Sequence, residues 1–293
     1  NISFLMVNNE DSDGNLGWAN YPGESPYGYT YSTVNNEMYD LSSDPNAVDL
    51  GSFYYLTFLH ELGHALGMGH PHDGDHQFPG VSYGEQTDGG DNNLNATPWT
   101  VLSYNDVTAT NGLSPGHEAH TGYLENIGIF DIAAAQYLYG PNLQSNSGDT
   151  VYELNEYELN GYRSIWDVSG NDTIDASESS SSVAIDLRNA TLENEAGGGG
   201  FLSKISNEYK GYTIAFDSLT QADLPDFEAV IENAKGSVFG DLLQGNDYAN
   251  YLEGNDGDDT IIGGDGIDTM YGGAGDDVYT GGAGRDIFAF DSG

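Results

Sequence analysis

The chain has no cysteine in its 293 residues, so it can form neither a disulfide framework nor a thiolate metal site, and any bound metal must rest on histidine and oxygen ligands. Basic residues are nearly as scarce. Six Lys and Arg stand against 47 Asp and Glu, a formal charge of -41, which argues against nucleic acid or an anionic membrane as a partner and makes hard cations the natural one. No run reaches the roughly 18 apolar residues of a membrane span. The opening NISFLMVNNEDSDG has no basic region ahead of its apolar stretch, so it does not read as a signal peptide. It starts as a strand without a preceding cap, and FAFDSG stops in mid-pattern; the expectation is a fragment or a processed chain. High net charge alone could mean disorder, but 21 Tyr and 11 Phe supply a core. The length suits two domains.

All seven histidines fall before residue 121, in a region rich in Gly, Pro and Asn loops. Two segments there have helical spacing. Residues 52–67 place Phe53, Leu56, Leu59, Leu62 and Leu66 three or four apart behind a capping Ser52. Residues 126–140 place Ile129, Ile132, Ala133, Gln136 and Tyr137 on one face and stop at Gly-Pro. Beyond residue 141 the texture changes to short β-rich runs (TVYEL, SIWDV, VAIDL, YTIAF, AVIENA), with at most a turn at DLPDFEAVIENA. The boundary is therefore set at 141/142.

The stretch HELGHALGMGH, residues 60–70, carries the chemistry. On a helix, positions i and i+4 share a face, so His60 and His64 can point at one ion, with Glu61 beside its open coordination position. Gly67 lets the chain leave the helix at positive φ and return His70 as a third nitrogen. Three protein ligands leave a place for water, which is the arrangement of a catalytic zinc. Zinc lowers the pKa of bound water from 15.7 to about 7, and Glu61 can take the proton and pass it to a leaving amine, so the expected reaction is amide hydrolysis. A bare HExxH recurs by accident; the glycine and third histidine at this spacing make it specific. His72, His76, His117 and His120 have no complete spacing and read as solvent-facing or loop-stabilising.

From residue 236 the chain becomes periodic, in blocks GSVFGDLLQ, GNDYANYLE, GNDGDDTII, GGDGIDTMY, GGAGDDVYT and GGAGRDIFA. A nine-residue period of this kind marks a parallel β-roll. Its glycines, among them Gly254, Gly263, Gly272 and Gly281, permit tight turns and expose carbonyls. Asp259, Asp268, Asp277 and Asp286, with Asp256 and Asp265, supply oxygens to calcium between turns. Leu243, Leu252, Ile261, Met270, Tyr279 and Phe288 should point into a narrow core. The first two blocks depart from the pattern at Phe239 and Asn250, and weak or absent calcium sites are expected there.

HELGHALGMGHP resembles the zinc motif of the metzincin clan, and the proline together with the nonapeptides resembles the serralysin family of secreted bacterial metalloproteases. DIAAAQYLYG, GDTVYELN, WDVSGNDTID and IENAKGS extend the likeness along the chain. The resemblance implies an α+β metzincin-like catalytic domain over residues 1–141, partial because an upstream helix and strands are missing, followed by an all-β roll or sandwich over 142–293 that lacks the family's secretion segment. It implies zinc and calcium as cofactors, and Tyr104 as a residue that can ligate zinc and steady an oxyanion. It implies that Trp18, Ala19 and Asn20, in LGWANYP, form an edge strand able to pair with an extended peptide. Leu102, in VLSYN, stands where the family has a methionine beneath the metal; such a swap usually costs under about 1.5 kcal/mol. The function implied is a secreted, extracellular zinc endopeptidase acting on protein and peptide substrates as a monomer, with an associated N-terminal fragment of the same protease as one further partner. The alternative is a catalytically impaired metzincin domain on a calcium-binding surface or adhesion module.

Overall fold

The computed structural model describes residues 2–7, 17–19, 21–22, 30–35, 48–74, 77–105, 122–215 and 230–290. These form two compact units, one from the described residues of 1–138 with 160–163 and 193–196, the other from those of 139–159, 164–192 and 197–293. The architecture is mostly β, with two α-helices among the described residues. No helix among them is long and apolar enough to cross a membrane.

In the first unit, β1 (Ile2–Val7) pairs in parallel with β3 (Thr30–Asn35), and β2 (Gly17–Ala19) pairs antiparallel with β3. The order β1-β3-β2 leaves β2 at the edge of the described sheet. Helix α1 (Phe53–Ala65) packs against β2 and β3. Ser52 caps it as expected, accepting from the Tyr55 N–H at 3.1 Å. Helix α1 ends where Gly67 turns at φ +97°, with the Met68 N–H donating back to the Gly63 carbonyl. The buried face differs from the leucine stripe. Leu59, Leu62 and Leu66 are half-buried, while Thr57, His60, Glu61, Gly63, His64 and Ala65 are buried with Leu56. The face carrying the chemistry is the inner one, so apolar spacing alone points to the wrong side. Helix α2 (Ile129–Tyr139) is capped by Gly140 at φ +82° and buries Ile129, Asp131, Ile132 and Gln136. Tyr137 is exposed instead, because the buried arc centres on Ile129, Ile132 and Gln136 and residue 137 lies off it.

The second unit contains two sheets. One runs β16-β14-β12-β10-β6-β4 and the other β15-β13-β11-β7-β8-β9-β5. Their strands are β4 (Val151–Glu153), β5 (Tyr162–Ile165), β6 (Thr173–Asp175), β7 (Val183–Asp186), β8 (Ser203–Ile205), β9 (Gly211–Ile214), β10 (Asn233–Lys235), β11 (Leu242–Gln244), β12 (Tyr251–Asp256), β13 (Thr260–Gly266), β14 (Thr269–Ala274), β15 (Val278–Gly284) and β16 (Ile287–Ala289). Successive nonapeptides alternate between the sheets, and parallel partners lie one coil apart, as in Leu243 with Ile261 and Leu252 with Met270. The stack continues upstream of the repeats, since Leu243 also pairs with Ile185 and Ala234 with Ile174. All of these are buried, and together they form the core. Tyr279 only packs against that core and Phe288 is exposed, against the expectation that both point inward. Residues 216–229, which hold most of the turn expected at DLPDFEAVIENA, lie outside the described residues.

Candidate functional site

Helix α1 presents His60 and His64 one turn apart, and the chain leaving Gly67 brings back His70. The three Nε2 atoms lie 3.1 Å (His60 to His64), 3.1 Å (His60 to His70) and 3.0 Å (His64 to His70) apart. A tetrahedral ion bonded at about 2.0–2.1 Å to each nitrogen separates them by about 3.3 Å, so the triangle is close to ready. Each ring is fixed by its other nitrogen. His60 Nδ1 is 2.8 Å from the Val101 carbonyl, His64 Nδ1 is 2.9 Å from the Met68 carbonyl, and His70 Nδ1 is 2.6 Å from Asp73 Oδ2. Those acceptors assign the proton to Nδ1 in all three, which turns three Nε2 lone pairs toward one point. Burial, then neighbouring His64, pushes His60 down to about 3, and burial also lowers His64. His60 and His64 are therefore neutral and able to ligate at neutral pH.

Glu61 is buried beside them. Its Oε2 has no hydrogen-bond partner, and burial raises the carboxyl to about 7. Such a group is poised to exchange a proton. The Tyr104 hydroxyl lies 3.0 Å from His70 Nε2, and its ring stacks on His60 at 5.2 Å. Burial, Glu61 and Asp73 push this phenol up to about 12, so it stays a donor. Leu102 is buried, and a Cβ on Gly63 would meet its Cδ2 at 3.0 Å, so this leucine fills the floor under the helix.

Several contributors escaped the sequence reading. Asp131, on α2, accepts from the Thr100 hydroxyl (2.6 Å), the Val101 N–H (2.8 Å) and the Gly128 N–H (2.8 Å), and so fixes the loop whose Val101 carbonyl orients His60. An acidic residue inside an otherwise apolar helix was the available signal. Asp73 and the two backbone carbonyls were missed because spacing patterns register ligands and not what steadies them. His72, expected to be solvent-facing or loop-stabilising, is buried, and its ring stacks on His70 at 4.9 Å. His76, His117, His120 and Asn20 lie outside the described residues, as does the Trp18 side chain; Ala19 is half-buried on β2.

In the roll, Asp259 Oδ1 accepts from the Asp241 N–H at 2.8 Å and Asp268 Oδ1 from the Asn250 N–H at 2.9 Å. The Oδ2 of each is buried and has no partner, which fits a cation-binding oxygen. Burial pushes Asp259 up to about 7. Gly254 and Gly263 give these oxygens room, since a Cβ at either would collide with Asp259 or Asp268 Oδ2. Asp277 and Asp286 repeat the pattern through Oδ1. Upstream, Asp172 is a further buried carboxylate with an unpartnered Oδ2; its N–H donates to Glu232, and it carried no signal in the sequence reading.

A family model described as the RTX calcium-binding nonapeptide repeat (4 copies) matches residues 236–270 and 253–288. The chain is 32% identical over 253 residues to metallopeptidase AprA of Pseudomonas marginalis, covering 80% of this chain and 46% of that protein. It is 33% identical over 212 residues to serralysin of Proteus mirabilis (68% and 37%) and 31% over 255 residues to metalloprotease AprA of Pseudomonas entomophila (80% and 45%). The chain thus spans less than half the length of these curated relatives. With its calcium-binding repeats and this likeness along most of its length, it is an RTX-repeat protein related to bacterial metalloproteases. It belongs to the serralysin family. Zinc and calcium are the family's cofactors, and the His60, His64 and His70 cluster can hold a metal ion.

Proposed function

We propose that this chain is the metal-binding part of a secreted zinc endopeptidase that hydrolyses protein and peptide amide bonds. The observation that carries the reading is the triangle of three Nε2 atoms, each ring held through Nδ1, beside a buried and unpartnered Glu61 oxygen. His60, His64 and His70 would hold zinc, which when bound supplies Lewis acidity toward water and the scissile carbonyl. Glu61 takes a proton from the attacking water as it adds to the carbonyl carbon, and returns it to the leaving nitrogen as the C–N bond breaks. Tyr104 donates its O–H toward the carbonyl oxygen as negative charge grows there. The edge of the described sheet on β2, at Trp18 and Ala19, with Asn20 next in sequence as a third candidate, would offer backbone groups to an extended substrate. The catalytic part comprises residues 1–141 and the calcium part 142–293, with calcium at Asp259, Asp268, Asp277 and Asp286 and at the glycines and aspartates between them. The protein works outside the cell as a monomer, with or without an N-terminal fragment attached.

The packing of Leu102 against Gly63 favours an intact floor over an impaired site. The test is casein hydrolysis by the purified chain together with metal analysis. One zinc per chain, with cleavage abolished by a zinc-selective chelator and restored by zinc, is the expected result. Zinc bound without cleavage would favour the impaired, surface-module reading.

A further inference from the structure

The sixth-position side chains of the roll are satisfied in two different ways. In the later turns, Asp259 and Asp268 each keep a buried Oδ2 with no partner. In the first two turns nothing is left over. Asp241 Oδ1 accepts from the Val183 N–H (2.7 Å), its Oδ2 accepts from the Ser237 N–H, and the Ser237 hydroxyl lies 3.0 Å from both oxygens. Asn250 goes further. Its Oδ1 accepts from the Asn246 N–H (2.8 Å), while its Nδ2 donates to the Glu232 carbonyl and to Asn246 Oδ1, both at 3.0 Å. Asn246 Nδ2 in turn donates to the carbonyls of Leu187 (3.2 Å) and Ile231 (3.0 Å).

We propose that the roll stands on an ion-free foot, in which the amide group of Asn250 does for the surrounding oxygens what a cation does in the later turns. The inference rests on reading the later repeats as calcium sites. An amide NH2 brings two donors to the oxygens that a carboxylate could only repel. The foot is also paired with strands before the repeats, through Leu242 with Ala184 and Tyr251 with Asn233, so its order is supported from upstream. In a repeat array each turn contacts only its neighbours, and order spreads from whichever turn is already formed. The foot is that turn, and calcium extends the roll away from it.

Replacing the amide by a carboxylate leaves three oxygens, from residue 250, Glu232 and Asn246, facing one another with no donor between them, which is the kind of set calcium takes. The test is hydrogen exchange on the full chain in excess EGTA and in millimolar calcium, with calcium stoichiometry by titration calorimetry. In wild type, amides of residues 242–244 and 251–253 should stay protected in EGTA, while those of 260–284 gain protection only with calcium. Asn250→Asp should lose protection of the foot in EGTA, recover it in calcium and bind one more calcium ion per chain than wild type. Asn250→Ala should lose it in both conditions and bind no additional ion.

A wild-type foot that exchanges in EGTA as fast as the later turns overturns the proposal. So does Asn250→Asp with unchanged stoichiometry, or one that stays unfolded in saturating calcium. Later turns fully protected in EGTA would instead remove the calcium reading of the repeats, and the contrast with it.

Discussion

At the histidine cluster every ligand ring is tied down through its second nitrogen before any ion arrives, whereas in the roll Asp259 and Asp268 each carry a buried oxygen with nothing to bind. Both regions present a converging set of ligand atoms. In the first, orientation is supplied by the Val101 and Met68 carbonyls and by Asp73, so the fold itself sets the rings. In the second, those oxygens are left unsatisfied, so under the proposed function the cation is itself a missing structural part, and binding and folding are one event. The difference follows from chemistry. Neutral imidazoles can be packed together at little electrostatic cost, but stacked carboxylates cannot.

The largest test of this contrast removes chemistry and leaves structure. Glu61→Gln should lower casein turnover by about 10²–10⁴-fold with zinc content unchanged, because the amide cannot exchange the proton and no ligand is lost. If zinc were lost in parallel with activity, Glu61 would belong to the scaffold. Next is the scaffold itself. Asp131→Ala leaves the Thr100 hydroxyl and two N–H groups without their acceptor and should destabilise the first unit by about 3 kcal/mol, read from urea unfolding in calcium, without altering exchange in the roll. A smaller effect is expected from Asp73→Ala, which frees the His70 ring: zinc affinity should fall about 10–100-fold while calcium stoichiometry stays constant.

The smallest effect is on pH. Burial raises the ion-free Asp259 carboxyl to about 7, above its ordinary value near 3.8. Between those values the folded, ion-free roll holds a proton that the unfolded chain has released. That roll is therefore favoured on the acid side and loses the advantage as pH rises through 7. Calcium must displace the proton, so the calcium midpoint should fall as pH rises from 5.5 to 7.5 and then level off. A midpoint constant over that range would place Asp259 away from the ion.

Much of this was legible in the residues. His60, His64 and Glu61 follow from helical spacing, Ser52 and Gly67 from capping chemistry, His70 from the turn that Gly67 makes, and the inward row Leu243, Leu252, Ile261 and Met270 from a period of nine. What stayed hidden has a common cause. The groups orienting the ligand histidines are two backbone carbonyls, one of them on a loop fixed by Asp131 from 30 residues away, and Asp73, one acidic residue among many; spacing that registers ligands passes over all of them. The leucine spacing of α1 announced a helix but not its inner face, because the helix buries the side that carries His60, Glu61 and His64. The expected hydrophobic row faded at Tyr279 and Phe288 because an inward register buries a side chain only where the turns beyond it cover the stack.

The alternation of nonapeptides between two sheets carries a consequence for how such a domain changes length. Deleting one block of nine would send every later strand to the opposite sheet, so that residues stacked on Ile185 would come to stack on Ile174. Deleting two blocks returns each strand to its own side. Growth or shortening of this array is therefore conservative in steps of eighteen residues, and a step of nine exchanges its left and right faces.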